Sequence, residues 1–223
     1  MSDNLQDLYN TRFSDEEKKN KNGIWVEICA FINRVFGTED GIIVDVAAGY
    51  CDFINNYKST ETQKKYAIDL NPDVEKYADS SVTTICDGIE ALDKYWNEGT
   101  VSLFFMSNFL EHISKEQIHN LLRDEYRLLK KGGKLLILTP NIKYVGGKYW
   151  DFFDHITPIT DKAIIEEAET IGYKLEKDIE RFMPFTTKSR LPQAQWMVRA
   201  YLRLLPIMGK IMGEQSLIMF VKE

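Results

Sequence analysis

Residues 42–53 read IIVDVAAGYCDF, and the fold turns on this stretch. Ile42 to Val46 is short, β-branched and apolar apart from Asp45, which is the composition of a parallel strand buried on both faces. It breaks at once into Ala47, Ala48 and Gly49, small residues that let the backbone turn sharply and a ligand approach it closely. Two better-known ligand loops are ruled out at this point, because neither G-x-G-x-x-G nor G-x-x-x-x-G-K-[ST] is present.

The same pattern repeats along the chain. YAIDLN (66–71), VTTICD (82–87), VSLFFMSN (101–108) and KLLILTPN (134–141) read as four further strands. An amphipathic helix spans Ser114 to Leu129, with Ser114 as N-cap and Gln117 as its capping-box partner, and stops at Lys130-Lys131-Gly132-Gly133. Before the first strand, Gly23 to Phe36 is apolar on both sides, as suits a helix packed on a sheet. Beyond it, Thr160 to Ile171 reads as a helix, YKLEKDIERFM (173–183) as a strand and SLIMFVKE (216–223) as the last strand. Strands alternating with helices specify an α/β, doubly wound, Rossmann-like sheet with right-handed crossovers, and such sheets bind ligands beyond the carboxyl ends of their strands.

The 223 residues, 44% of them hydrophobic, suffice for one domain with a modest elaboration. Residues 1–22 are expected to form an N-terminal helical cap, in which Tyr9, Arg12 and Phe13 either pack or fold over a bound ligand. Residues 23–223 form the main domain, with an insertion at 184–213 before the last strand. The net charge of −6 disfavours nucleic acid as a partner. Cys29, Cys51 and Cys86 show no C-x-x-C pairing, so no disulfide framework and no metal site is expected. With no signal-like or membrane-spanning apolar run, the expected location is the cytoplasm.

Polar residues stand at successive strand ends: Asp45, then Asp69 with Leu70, then Asp87 with Gly88, then Asn108 with Phe109. An ionised carboxylate at Asp69 offers two acceptor oxygens to the two hydroxyls of a ribose. In this order they resemble class I S-adenosylmethionine (SAM) dependent methyltransferases, over roughly Gly23 to Asn141. The Asp45–Cys51 turn is similar to the family's glycine-rich first motif, with Ala47 and Cys51 where its first and third glycines stand. LLKKGGKLLILTPN matches the fifth-strand motif. The resemblance implies a seven-stranded sheet with an antiparallel last strand and SAM as cofactor. It further implies that Ala47, Ala48 and Gly49 hold the methionine portion, Asp69 the ribose, and Asp87 and Gly88 the adenine. NFLEHIS and KYWDFFDHITPIT resemble members associated with bacterial polysaccharide and glycan biosynthesis. Two other readings stay open: a SAM-binding sensor or scaffold without turnover, and an NAD-dependent oxidoreductase.

The segment after the fifth strand should overhang the reactive end of the cofactor. His155 there suits a general base at neutral pH, with Asp154 beside it, although either serves equally well to pin the loop. His112 is the candidate for substrate positioning, joined by Tyr149 and Trp150 from a run of aromatics; His119 is assigned nothing. Between Pro184 and Gly213 the chain carries Lys188, Arg190, Arg199, Arg203 and Lys210 and no acidic residue. Arg199 is the candidate contact to an anionic, sugar-containing small-molecule acceptor. The same insertion equally suits an anionic membrane surface, the domain's own core or a second subunit in a homodimer.

Overall fold

A computed structural model describes residues 15–58, 60–185 and 194–223, with side chains from residue 22 onward. The lone expected elements outside it are the first part of the N-terminal cap, including Tyr9, Arg12 and Phe13, and the basic residues Lys188 and Arg190. Helix α1 (Asp15–Phe36) runs unbroken past the expected boundary after residue 22.

Seven strands, β1 (Ile42–Val46), β2 (Lys64–Asp69), β3 (Val82–Cys86), β4 (Val101–Ser107), β5 (Leu129–Pro140), β6 (Lys174–Ile179) and β7 (Gln215–Val221), form one sheet in the order β3-β2-β1-β4-β5-β7-β6. Strands β1 to β5 pair in parallel, and β7 runs antiparallel to both β5 and β6. This is the expected α/β architecture, with the last strand reversed.

Alternation along the central strands builds the two core layers. From β4, Phe104 and Met106 face helices α5 (Lys115–Leu128) and α7 (Asp161–Ile171), meeting Leu121, Leu122, Ile164 and Ala168. Leu103 and Phe105 face the other way, into a layer shared with Ile28 and Ile32 of α1 and with Phe53 of the short helix α2 (Asp52–Asn56). Phe53 and Phe105 stack with ring centroids 3.7 Å apart. Helix α5 begins with the expected capping box between Ser114 and Gln117.

Two boundaries differ from expectation. Strand β5 starts at Leu129, five residues earlier than the KLLILTPN run, because backbone partners exist on both flanks: Leu129 pairs with Val101, and the Gly132 N–H donates to the Lys222 carbonyl at 2.7 Å. The 184–213 insertion is built, where described, from helices α8 (Gln195–Arg203) and α9 (Leu205–Met212). Helix α8 docks on α1 through Glu27, a buried carboxylate that accepts from Arg199 Nη2 at 2.7 Å, Arg199 Nε at 3.0 Å and Gln195 Nε2 at 2.9 Å. Among the described residues no helix is long and apolar enough to cross a membrane.

The loop after β1 holds Ala47 at φ 53°, Gly49 at φ 52° and Cys51 at φ 57°. The backbone thus keeps a left-handed conformation at both positions where a side chain stands in place of glycine. An L-residue pays for this conformation on the order of 1–2 kcal/mol. Ala47→Gly relieves it at a partly exposed position, and the variant is expected to be more stable by about 1 kcal/mol in urea denaturation. An unchanged midpoint would mean that Ala47 sits there without strain.

Candidate functional site

Strand order reverses between β1 and β4, and the cavity lies where such reversals open a crevice. It measures about 290 Å³ and is walled on one side by Asp45, Ala47, Ala48 and Gly49 and by Ser107, Asn108 and Phe109. Trp25 and Ile28 of α1 line it as well, as do Glu111, His112, Phe152, His155 and Phe185.

The cofactor-side candidates divide into two groups. Asp45 is buried in the cavity wall, where desolvation raises its carboxyl well above the usual range and the Ile54 N–H, at 3.3 Å, partly opposes that. Asn108, like Ala47, has positive φ, and its N–H donates to the Leu138 carbonyl at 2.8 Å, which fixes the turn after β4. Asp69, Leu70, Asp87 and Gly88 stand outside the cavity lining. Asp69 accepts from the Gly49 N–H and the Asn71 N–H, each at 2.8 Å, so its carboxylate ties the β1 loop to the end of β2. Burial nevertheless raises its pKa. Asp87 accepts from its neighbour's N–H and from Lys94 and Tyr95, each of the last two at 3.0 Å, and these contacts lower its pKa. Leu70 is two-thirds exposed, and its side chain lies 3.6 Å from where a Cβ on Gly88 would stand.

At the opposite end, the segment from Asn141 to Thr160 is strapped across the turn Leu110–His112 that follows β4. The Glu111 carbonyl accepts from the Ile156 N–H at 2.9 Å and the Thr157 N–H at 3.1 Å. Thr157 Oγ1 donates to the Ile113 carbonyl at 2.5 Å. At the strap's root, Asn141 Nδ2 donates to Asp161 at 2.7 Å and to Ser216 at 3.0 Å. Two separate stretches of chain therefore deliver one polar cluster. His112 Nδ1 lies 3.1 Å from the Asp154 carbonyl oxygen and 3.3 Å from its carboxylate, and His112 Nε2 lies 3.9 Å from Glu111 Oε1. The His112 and His155 rings meet edge to face at 4.8 Å, and Phe152 stacks on His155 at 5.0 Å. One donor atom from each of Glu111, His112 and His155 falls within a common 4.8 Å, a grouping able to hold a cation although no metal was expected from the cysteines.

Of the expected acceptor contacts, Tyr149 and Arg199 are engaged within the protein and Trp150 stands apart from the cavity. Tyr149 is fully buried behind His155, with its hydroxyl donating to the Thr157 carbonyl, because the strap needs an apolar anchor with one satisfied polar tip. Trp150 is more than half exposed and stands outside the cavity lining. Arg199 is engaged by Glu27, whose buried carboxylate would otherwise lack its charge partner. His119, which was assigned nothing, pairs with Glu167 at the surface. Sequence reading passed over Glu111 as a working group. Its position beside His112 at a strand end was the available signal, but its near-complete burial was not.

Residues 44–137 match the family described as a methyltransferase domain. Among solved structures, a SAM-dependent methyltransferase from Thermotoga maritima is similar, with a TM-score of 0.67 at 13% identity over 97% of this chain and 99% of that one. A SAM-dependent methyltransferase from Archaeoglobus fulgidus gives 0.64 at 16% identity over 88% and 93%. Geranyl diphosphate C-methyltransferase from Streptomyces coelicolor, in a complex that includes S-adenosylhomocysteine, gives 0.57 at 14% over 88% and 80%. At these identities the likeness speaks for the fold. No curated protein matches the chain.

Burial pushes the Glu111 carboxyl from 4.5 up to about 8. Between those values the native state keeps a proton that the unfolded chain has released, so stability falls as pH rises through the window, by about 1.4 kcal/mol per unit. Glu111→Gln is uncharged throughout and lacks this slope. In chelator-containing buffer, urea denaturation between about pH 5 and 8.5 is expected to show the variant gaining on wild type as pH rises. Parallel curves would mean that Glu111 is not held protonated.

Proposed function

We propose that this enzyme, whose methyltransferase domain uses SAM as cofactor, methylates an oxygen of a small-molecule acceptor, and that the acceptor is a sugar or sugar-phosphate conjugate. One observation carries the reading: a single cavity joins the β1 loop to the Glu111–His112–His155 cluster. A methyl donor on the first and an acceptor hydroxyl on the second would be aligned for in-line displacement. The methyl carbon then leaves sulfur, whose bonding pair returns to it, and bonds to the acceptor oxygen, while the hydroxyl proton passes to the cluster.

On this reading Asp45, Ala47, Ala48 and Gly49 seat the methionine portion. Asp69 and Leu70 serve the ribose, Asp87 and Gly88 the adenine, and Asn108 and Phe109 the end nearest the methyl group. His155 receives the acceptor's proton, and Asp154 orients His112 through its Nδ1. The rings of Phe152 and Phe185, edge to face with centroids 5.4 Å apart beside His155, give the cavity wall an apolar aromatic surface that suits a sugar ring.

The insertion favours an acceptor presented at a membrane. Ile207 and Ile211 are exposed at helical spacing on α9, with Leu204 exposed at its N-cap and Trp196 exposed on α8, and Arg203 and Lys210 are exposed among them. An apolar stripe flanked by cations fits an anionic lipid surface, which would bring lipid-linked sugar phosphates within reach.

Transfer of isotope-labelled methyl from SAM to sugar nucleotides and lipid-linked sugars, followed by mass spectrometry, tests the acceptor class. His155→Ala is expected to cut turnover at least about 100-fold while SAM affinity stays within about twofold. Full turnover in that variant would remove His155 from proton transfer, and labelling confined to non-sugar acceptors would overturn the sugar assignment.

A further inference from the structure

The polar cluster holds more ligating power than a single proton transfer requires. Around a cation with bonds of roughly 2.1 Å, neighbouring donor atoms stand about 3–4 Å apart. His112 Nε2 and Glu111 Oε1 already lie 3.9 Å apart, and the three donors of Glu111, His112 and His155 lie within 4.8 Å of one another. Small side-chain movements close that set on one ion.

The chemistry around these donors points the same way. The Asp154 carbonyl can only accept, so His112 Nδ1 carries the hydrogen toward it, and in the neutral ring the lone pair falls on Nε2, on the Glu111 side. A histidine whose far nitrogen donates to a carbonyl or carboxylate is the usual outer arrangement of a metal ligand. Glu111 itself is 1% exposed, and its carboxylate is met by the Thr139 hydroxyl at 3.4 Å and its own N–H. Among the described residues no lysine or arginine pairs with it. A divalent cation would supply the positive charge that a buried carboxylate calls for. All three donors line the cavity that also holds the β1 loop, so ligand positions left open face the space an acceptor would fill.

We propose that Glu111, His112 and His155 form a binding site for a first-row divalent cation, of the manganese, iron, cobalt or zinc kind, whose open positions take oxygens of the acceptor. Two imidazoles and one carboxylate suit these ions better than magnesium or calcium, which prefer all-oxygen sets. An acceptor with two neighbouring oxygens, such as a vicinal diol, fits the open positions. With the cation bound His155 is a ligand and no longer the proton acceptor: the cation lowers the pKa of the hydroxyl it binds, and the released proton passes to water. This assignment of the open positions rests on the methyl-transfer reading; cation binding does not.

Calorimetric titration of the chelator-stripped full chain with manganese, cobalt, zinc and magnesium tests the site, with cobalt binding followed also by its visible absorption. One equivalent of cobalt or zinc is expected to bind far more tightly than magnesium. Affinity should fall at least 100-fold in Glu111→Gln and in His112→Gln, each checked for folding by circular dichroism, and stay unchanged in His119→Ala. No stoichiometric binding, or binding unaltered in both cluster variants, overturns the proposal. SAM titrated into the same stripped protein separates the two readings. SAM binding without cation binding defeats the cation site and leaves methyl transfer standing; cation binding without SAM binding upholds the site and removes the methyl-transfer reading.

Discussion

The reversal of strand order between β1 and β4 is the constraint on which the site depends. With β2 and β3 laid to one side of β1 and β4 and β5 to the other, the chain leaves these two strands in opposite directions, and the sheet's own connections cannot cover the gap between their ends. The β1 loop closes part of it, with three residues in the left-handed region and the Gly49 N–H pinned by Asp69. Asp69 therefore acts in the fold before it could act on a ligand. A carboxylate that already holds the loop can still offer its remaining lone pairs, since each oxygen has more than one.

The other half of the cavity comes from long-range docking. The Glu111 carbonyl takes two N–H groups from the strap, and this joins the turn after β4 to residues that follow β5. Without that junction His112 and His155 would belong to unrelated loops. The junction has a cost, because it buries the Glu111 side chain in surroundings that favour its neutral form. Groups perturbed in this way by burial inside a cavity are a common mark of working sites, and here the perturbation coincides with two imidazoles.

The sheet was legible in the sequence because its strands are short β-branched runs ended by small or acidic residues, and the capping box of α5 was legible because it is local. The count of seven strands and the reversed last strand were implied by the resemblance those runs carry, whereas the strand order was not read from the sequence. Less could be read where the outcome depends on distant partners. Tyr149 looked like a cleft residue because an aromatic gives no sign of which way it will be buried; it became the anchor beneath the strap. Arg199 looked available for an anion because Glu27, its partner, lies on a helix at the other end of the chain. The double glycine at 132–133 reads as a break, and Gly132 does turn to φ 75°, yet the strand carries on through this irregular stretch because Lys222 supplies backbone partners to both residues. Glu111 is local in sequence but acquires its character only from non-local burial.

Calorimetric titration of the intact protein with SAM, S-adenosylhomocysteine and NAD in parallel tests the central claim most directly. Saturable one-to-one binding of SAM and S-adenosylhomocysteine, weakened in Asp69→Ala by about 1.5–3 kcal/mol and with no heat from NAD, is the predicted result. Binding of NAD alone, or of none of the three, would contradict the assignment of this cavity to a methyl donor.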